Sequence, residues 1–270
     1  MPSSTRPSAR STPDVSSEDH IGRRDLTRWP SAVGRLLVDR AVALARFAGA
    51  DIVLLVSLLI GAAAVLSMTA ASAELYEAVE DGEGLARLDR PLLDQAIALR
   101  TASNVRAVTF FTHLGGPLWM TIIAGTIMIA LAVAWRSRTP VVLMVVGVAG
   151  SLAATTVGKA LVGRVRPPLA DAVPPFESSP SFPSGHTLNS TVIAGLIAYL
   201  LLRRIGSGWG RVAVVVLASG WALSMGLSRV FLGHHWMTDV FVGWTLGLAW
   251  VAVVVTAHRL YLTTSRRSTS

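Results

Sequence analysis

IVLLVSLLIGAAAVLSMTAASA, the stretch from Ile52 to Ala73, runs for 22 residues without a charged side chain. At about 1.5 Å per helical residue it is long enough to cross a hydrocarbon layer of about 30 Å. A helix satisfies its own backbone hydrogen bonds inside such a layer, so length and apolarity together predict a membrane span. Five further stretches read the same way: Pro117–Trp135, Pro140–Gly158, Thr187–Leu202, Val212–Leu227 and Val240–Ala257. Their interiors carry no Lys, Arg, Asp or Glu, and Gly and Ala are frequent, as close helix packing in lipid favours. The last four are short for isolated spans and can continue as helix into flanking segments. Composition agrees: the 270 residues are 52% hydrophobic and 15% charged, with a mean hydropathy of +0.55. An ordinary soluble domain is about 25% charged. The expected fold class is all-α, a six-transmembrane helical bundle.

There is no cysteine, which removes disulfide frameworks, Cys-ligated zinc, iron–sulfur clusters and thiol catalysis. A net charge of +8 and a pI near 11.2 would suit a nucleic-acid binder. The positions of the cations argue against that partner. Arg6, Arg10, Arg23, Arg24, Arg28, Arg35, Arg40 and Arg46 precede the first span, and Arg136 and Arg138 follow the second. Arg203, Arg204 and Arg211 follow the fourth, and Arg259, Arg266 and Arg267 follow the sixth. These four regions share one side of a six-span protein and hold 16 of its 24 cations. By the positive-inside rule that side is cytoplasmic, with both termini. A multi-pass protein of the cell inner (plasma) membrane is expected, its partners being membrane lipids, with no nucleic acid.

The N-terminal segment, 1–49, divides in two. Residues to about Arg28 are rich in Ser, Thr, Pro and Arg and read as a disordered tail, whereas Ser31–Gly49 reads as an amphipathic helix on the membrane surface. No basic region followed by a short apolar core precedes residue 50, so the first span is read as a retained anchor. The six-span domain then covers 50–258 and a cytoplasmic tail 259–270. The first outer loop, Glu74–Gly116, is acidic, with seven carboxylates against four arginines. After Pro91, Leu92, Leu93, Ala96, Leu99, Val105, Val108 and Phe111 recur at near-helical spacing, which predicts one amphipathic outer-surface helix ending near Gly115-Gly116. It either packs over the bundle or lines a lipid entrance.

Charge and histidine remain in the second and third outer loops. Lys159 is the only lysine in a chain that otherwise uses arginine, either because a compact ammonium is needed there or because one lysine escaped a compositional bias. Arg166, seven residues on, precedes Pro167 and Pro168, where helix should end. Nearly two turns of helix would bring Lys159 and Arg166 to one face. Pro183-Ser184-Gly185-His186 stands directly before the fourth span. It is either a plain capping turn with an interfacial histidine or an anion site built from a hydroxyl and helix N-terminal N–H groups. Farther on, Ser228-Arg229 precede His234, His235 and Asp239. If helical, His235 and Asp239 share a face and the carboxylate orients the imidazole, with His234 a bystander pointing away. Asp239 could equally be an N-cap. Topology puts all three clusters at the outer face, where three cations, two histidines and a carboxylate suit a phosphoryl group. Arg164 is read as a rim charge, and Asp171 and Glu177 as residues that either shape specificity or keep their loop in water.

Lys159–x6–Arg166–Pro167, Pro183–Ser184–Gly185–His186 and Ser228–Arg229–x5–His235–x3–Asp239 resemble, in order and without departure, the tripartite signature of the type 2 phosphatidic acid phosphatases. The six-span layout extends the likeness from about residue 50 to the end. The resemblance implies a membrane phosphatase with its active site at the extracytoplasmic membrane interface. It implies His235 as nucleophile, Asp239 as its orienting partner and His186 as acid. Lys159, Arg166, Ser184, Gly185 and Arg229 would bind phosphate, with no cofactor and no metal. The partner implied is a lipid phosphate substrate: a polyprenyl pyrophosphate, phosphatidic acid or phosphatidylglycerol phosphate. A phosphotransferase on the same fold, or a transporter or lipid-binding protein, are the competing classes. The sequence sets no oligomeric state.

Overall fold

The computed structural model of the protein describes residues 20–22, 24–77 and 84–269. The tail expected over residues 1–19, and the acidic stretch 78–83, lie outside the described residues. A short antiparallel pair, β1 (His20–Ile21) with β2 (Arg24–Asp25), leads into helix α1 (Ala32–Ala48). Ser31 starts that helix by accepting from the Gly34 N–H at 3.0 Å, and Gly49, with φ of +83°, ends it. Val38 and Ala41 pack on Val53 and Leu260, while Val33, Leu36 and Phe47 are exposed on α1. The tail read as disordered to Arg28 has order in its last part, because Arg259 reaches it. Arg259 Nε donates to the Leu26 carbonyl at 2.9 Å, and its guanidinium stands 4.1 Å from the centre of the Trp29 ring.

Helix α2 (Ala50–Glu77) contains the opening apolar stretch. A 3₁₀ turn at Gly84–Leu88 then leads into α3 (Asp89–Ala98) and α4 (Ala102–Leu114). One amphipathic helix was expected here, and the structure breaks it in two at Thr101. Thr101 Oγ1 accepts from the Asn104 N–H at 3.3 Å, and the Asn104 side chain accepts from the Thr101 N–H at 2.7 Å. This reciprocal cap starts a new helix where the apolar spacing alone suggests continuity.

The chain continues through α5 (Pro117–Trp135), α6 (Thr139–Val162), α7 (Gly185–Leu202), α8 (Gly208–Phe231) and α9 (Met237–Thr269). Together with α2 these make six helices long and apolar enough to cross a membrane, and the protein is a multi-pass membrane protein. Several outrun the apolar stretches that mark them, because their ends continue into the polar motifs. Helix α9 carries on past residue 258 to Thr269.

Helix α7 is the axis of the bundle. Leu188, Val192, Leu196 and Leu200, four apart, are almost wholly buried against Leu143 and Met144 of α6 and Leu246, Trp250 and Val254 of α9. Close approach of α7 and α9 depends on Gly247, where a Cβ would lie 2.8 Å from the Thr191 Cβ. The deep tryptophans also have partners. Trp250 Nε1 donates to the Gly147 carbonyl at 3.0 Å and Trp244 Nε1 to the Ala222 carbonyl at 2.9 Å, so neither indole N–H is unpaired in the apolar interior.

Candidate active site

The C-terminal ends of α6 and α8 and the N-terminal ends of α7 and α9 meet at one end of the bundle, and the three sequence motifs come together there. Helix α6 stops at Val162, with Gly163 in the left-handed region at φ +60°. Lys159 and Arg166 therefore do not share a helical face as their spacing suggests; Arg166 sits beyond the helix in irregular chain. They converge nevertheless on the loop before α7. Lys159 Nζ donates to Ser179 Oγ at 2.9 Å and also to the Pro180 carbonyl, while Arg166 Nη2 reaches the same Ser179 Oγ at 3.2 Å.

Ser184 precedes α7 and is fully buried. Its N–H donates to the Asp239 carbonyl at 3.2 Å and its hydroxyl accepts from Thr187 Oγ1 at 2.9 Å, so it fastens α7 to α9. Gly185 opens the helix, and His186 in the first turn lines the cleft together with His235 and Lys159.

Arg229, near the end of α8, is 2% exposed. Its Nη1 donates to Thr112 Oγ1 at 3.0 Å and its Nη2 to Glu177 Oε1. The chain then turns tightly at Gly233, where φ is +72° and a Cβ would lie 2.4 Å from the Asp171 carbonyl oxygen. The N–H groups of His234 and His235 both donate to the Arg229 carbonyl, at 2.9 and 3.2 Å. Helix α9 begins only at Met237, so His235 and Asp239 meet across a turn and not along a helix face. Asp239 Oδ2 accepts from the Trp236 N–H at 3.0 Å and lies 3.4 Å from His235 Nδ1. Asp239 stands third in α9 and so is not its N-cap residue, but its carboxylate holds the N–H of Trp236, just before the helix, while it contacts the imidazole. The His234 ring is elsewhere, donating from Nε2 to the Val173 carbonyl at 2.6 Å.

The tautomer of His235 follows from its neighbours. Arg166 Nη1 stands 3.2 Å from His235 Nε2, and a guanidinium can only donate. Nε2 is therefore the acceptor, and the ring proton is on Nδ1, facing Asp239 Oδ2 and Ser181 Oγ at 3.3 Å. Burial disfavours the imidazolium and outweighs the pull of Asp239, so the His235 pKa falls to about 4 and the ring is neutral at pH 7. The Nε2 lone pair of this neutral imidazole thus faces the Arg166 guanidinium at the mouth of the cleft.

Four participants escape the sequence reading. Glu177, read as shaping specificity or keeping its loop in water, lies inside the site. Its carboxylate pairs with Arg229 and with Arg166 Nη2 at 3.0 Å, and it approaches His186 Nδ1 to 4.0 Å. Burial alone would raise its pKa, but Arg229 and Arg166 outweigh that and hold it at about 2. Arg164, taken as a rim charge, is buried and bridges two carboxylates, donating to Asp239 Oδ1 at 2.6 Å and to Asp89 Oδ2 at 2.7 Å. Ser181 donates to Asp239 Oδ2 at 2.5 Å. Asp89, from the start of α3, is 4% exposed. Only the Arg164–x–Arg166 spacing could have drawn attention to any of them. Among the described residues no group of three or more His, Asp or Glu is placed to hold a metal ion.

A cavity of about 710 Å³ runs from Lys159, Glu177, His186 and His235 down between α5, α6 and α7 as far as Met128 and Met144. Its walls are mostly apolar, among them Met120, Val148, Leu152 and Ile193. A polar head at the cations and a chain between the helices fit such a space.

Residues 140–261 match the PAP2 superfamily. The chain is 34% identical over 164 residues to "Phosphatidylglycerophosphatase B" of Bacillus subtilis (strain 168), covering 59% of this chain and 78% of that protein. It also superposes with a TM-score of 0.59 on the crystal structure of a transmembrane PAP2 type phosphatidylglycerolphosphate phosphatase from Bacillus subtilis. That match has 28% identity and covers 74% of this chain and 92% of the other. The fold and the cationic site thus define a membrane phosphatase of lipid phosphates. The chain belongs to the PAP2 superfamily.

Proposed function

We propose that the protein hydrolyses the phosphomonoester of a glycerophospholipid, phosphatidylglycerol phosphate foremost, through a phosphohistidine at His235 and on the extracytoplasmic side of the inner membrane. The observation that carries this reading is His235 itself: neutral, with Nε2 as the acceptor, between Arg166 and the mouth of an apolar cavity. The Nε2 lone pair bonds to phosphorus as the P–O bond to the lipid breaks, while Lys159, Arg166 and Arg229 neutralise the phosphoryl oxygens. Asp239 holds the Nδ1 proton and stabilises the imidazolium that forms. His186, made an imidazolium by a proton taken up with the anionic lipid phosphate, gives that proton to the departing oxygen. Water then bonds to phosphorus as N–P breaks, with His186 taking the water's proton, and phosphate leaves. The Gly185 N–H at the start of α7 contributes a donor, and Ser184 acts by fixing that helix start to Asp239. Three side-chain cations supply the positive charge for which other phosphatases use metal ions, so this route needs none.

The descriptions of the Bacillus subtilis relative and of the solved Bacillus subtilis structure favour phosphatidylglycerol phosphate over a polyprenyl pyrophosphate. The arginine-rich end of the bundle, opposite the site, supports an extracytoplasmic site with both termini in the cytoplasm. The test is phosphate release by purified protein, with EDTA present, from phosphatidylglycerol phosphate, phosphatidic acid and undecaprenyl pyrophosphate. Release fastest from the first supports the reading; release abolished by EDTA overturns the mechanism, and preference for the pyrophosphate overturns the substrate.

A further inference from the structure

Asp239 does not stand alone behind His235. Its Oδ2 accepts from Ser181 and Trp236, while its Oδ1 accepts from Arg164 Nη1 at 2.6 Å. Arg164 is itself shared, for Nη2 donates to Asp89 Oδ2 at 2.7 Å. Asp89 is held in turn by α9, since its Oδ1 accepts from the Thr238 N–H at 2.9 Å and its Oδ2 from Thr238 Oγ1 at 2.7 Å. The side chains of Asp89, Arg164 and Asp239 are 5%, 6% and 0% exposed, so water screens none of these charges effectively. A buried cation between two carboxylates acts only partly on each.

We propose that Asp89, on the short helix α3 outside the three motifs, is a positioning residue for His235, acting through Arg164 and Asp239. By taking part of the Arg164 charge, Asp89 leaves Asp239 more of its own negative charge to hold the His235 Nδ1 proton and to stabilise the imidazolium formed on phosphoryl transfer. The same contacts dock α3 over the site: Arg90 beside Asp89 reaches Asp171 Oδ2 at 2.8 Å, and Arg100 donates to the Phe231 carbonyl at 2.8 Å. The expected surface helix is therefore joined electrostatically to the reaction centre. The inference rests on the reading of His235 as nucleophile.

The charged and titratable groups that face His235 are Asp239, Arg166, Arg229, Glu177, His186 and, across the cleft, Lys159. Removing the Asp89 charge leaves all six in place and turns Arg164 wholly toward Asp239. Asp89→Asn should then lower kcat about tenfold, the scale of coupling within one buried hydrogen-bond and ion-pair network, with KM within about twofold. The acid limb of kcat/KM, which reports the free enzyme, should move to lower pH. Asp89→Glu should recover part of kcat. Breaking one side of a buried pair can unfold a protein, whereas removing both charges is often tolerated. The double variant Asp89→Asn/Arg164→Gln removes the cation as well, so its acid limb should move the opposite way, to higher pH.

The experiment measures kcat, KM, pH profile and thermal unfolding of full-length protein with a dispersed lipid phosphate, with His235→Ala alongside. Wild-type kcat and pH profile in folded Asp89→Asn would overturn the proposal. So would acid limbs moving in the same direction in the single and double variants. If Asp89→Asn does not fold, the double variant decides: an unmoved or lowered acid limb overturns the proposal. Activity retained by His235→Ala would overturn the underlying reading of His235 instead.

Discussion

Glu177 holds two of the site's cations at once: its Oε1 accepts from Arg229 Nη2, and its Oε2 accepts from Arg166 Nη2 at 3.0 Å. In the proposed mechanism phosphoryl oxygens meet these same guanidiniums, so an anion bound there would compete with the carboxylate. Glu177→Gln removes the competing charge and keeps the side chain's shape. Inorganic phosphate should inhibit this variant at about 10- to 100-fold lower concentration than wild type, the scale of one charge-assisted hydrogen bond. An increase in the inhibitory concentration would instead mean that Glu177 holds the arginines in their binding positions.

The His235 pKa near 4 has two consequences of one sign. The unfolded chain takes up a proton near pH 6.5 and the folded one only near pH 4. Folding stability from this group is complete above pH 6.5 and declines progressively as pH falls toward 4, by on the order of 3 kcal/mol in all. Glu177 adds to the loss at lower pH, its folded pKa of about 2 lying below the ordinary 4.5. Thermal unfolding should therefore come at lower temperature at pH 5 than at pH 7. The acid limb of kcat/KM should lie nearer pH 4 than pH 6.5.

Ser181 touches both the proposed nucleophile and its carboxylate partner, lying 3.3 Å from His235 Nδ1 and donating to Asp239 at 2.5 Å. Ser181→Ala should destabilise the protein by about 1–2 kcal/mol, since a buried carboxylate loses a donor. It should also lower kcat more than it raises KM, because the imidazole loses one of the two acceptors that fix its tautomer. Thermal unfolding and steady-state kinetics on the same preparation separate the two effects.

The cavity makes a separate demand on the substrate. Ala149 lines it and faces outward from α6, so a large side chain there can be accommodated without entering the bundle core. Ala149→Trp should raise KM for a long-chain lipid phosphate about tenfold, as the loss of a few buried methylenes would. Hydrolysis of water-soluble p-nitrophenyl phosphate should stay near the wild-type rate. Equal losses on both substrates would show that the cavity does not receive the chain.

The spans were legible because membrane insertion depends on a local property, the absence of charge over about 20 residues. Lys159, Arg166, His186, Arg229, His235 and Asp239 were legible because their types and intervals together form a pattern. What spacing could not supply was geometry: the Lys159–Arg166 interval reads as helix, yet Gly163 ends the helix between them. The partners were the least legible. Glu177 reaches Arg229 across 52 positions, Ser181 reaches Asp239 across 58 and Asp89 reaches Arg164 across 75. Each lies in or beside a loop whose polar composition is equally suited to contact with water. Only the folded chain distinguishes a solvated carboxylate from one enclosed between arginines.

The stereochemical course at phosphorus tests the central claim most directly. A lipid thiophosphate made chiral with oxygen isotopes, hydrolysed in isotopically labelled water, reports whether phosphorus is displaced once or twice. Attack by His235 followed by water gives two in-line displacements, and overall retention of configuration is the expected result. Inversion would mean that water attacks the lipid phosphate directly, and would contradict a phosphohistidine at His235.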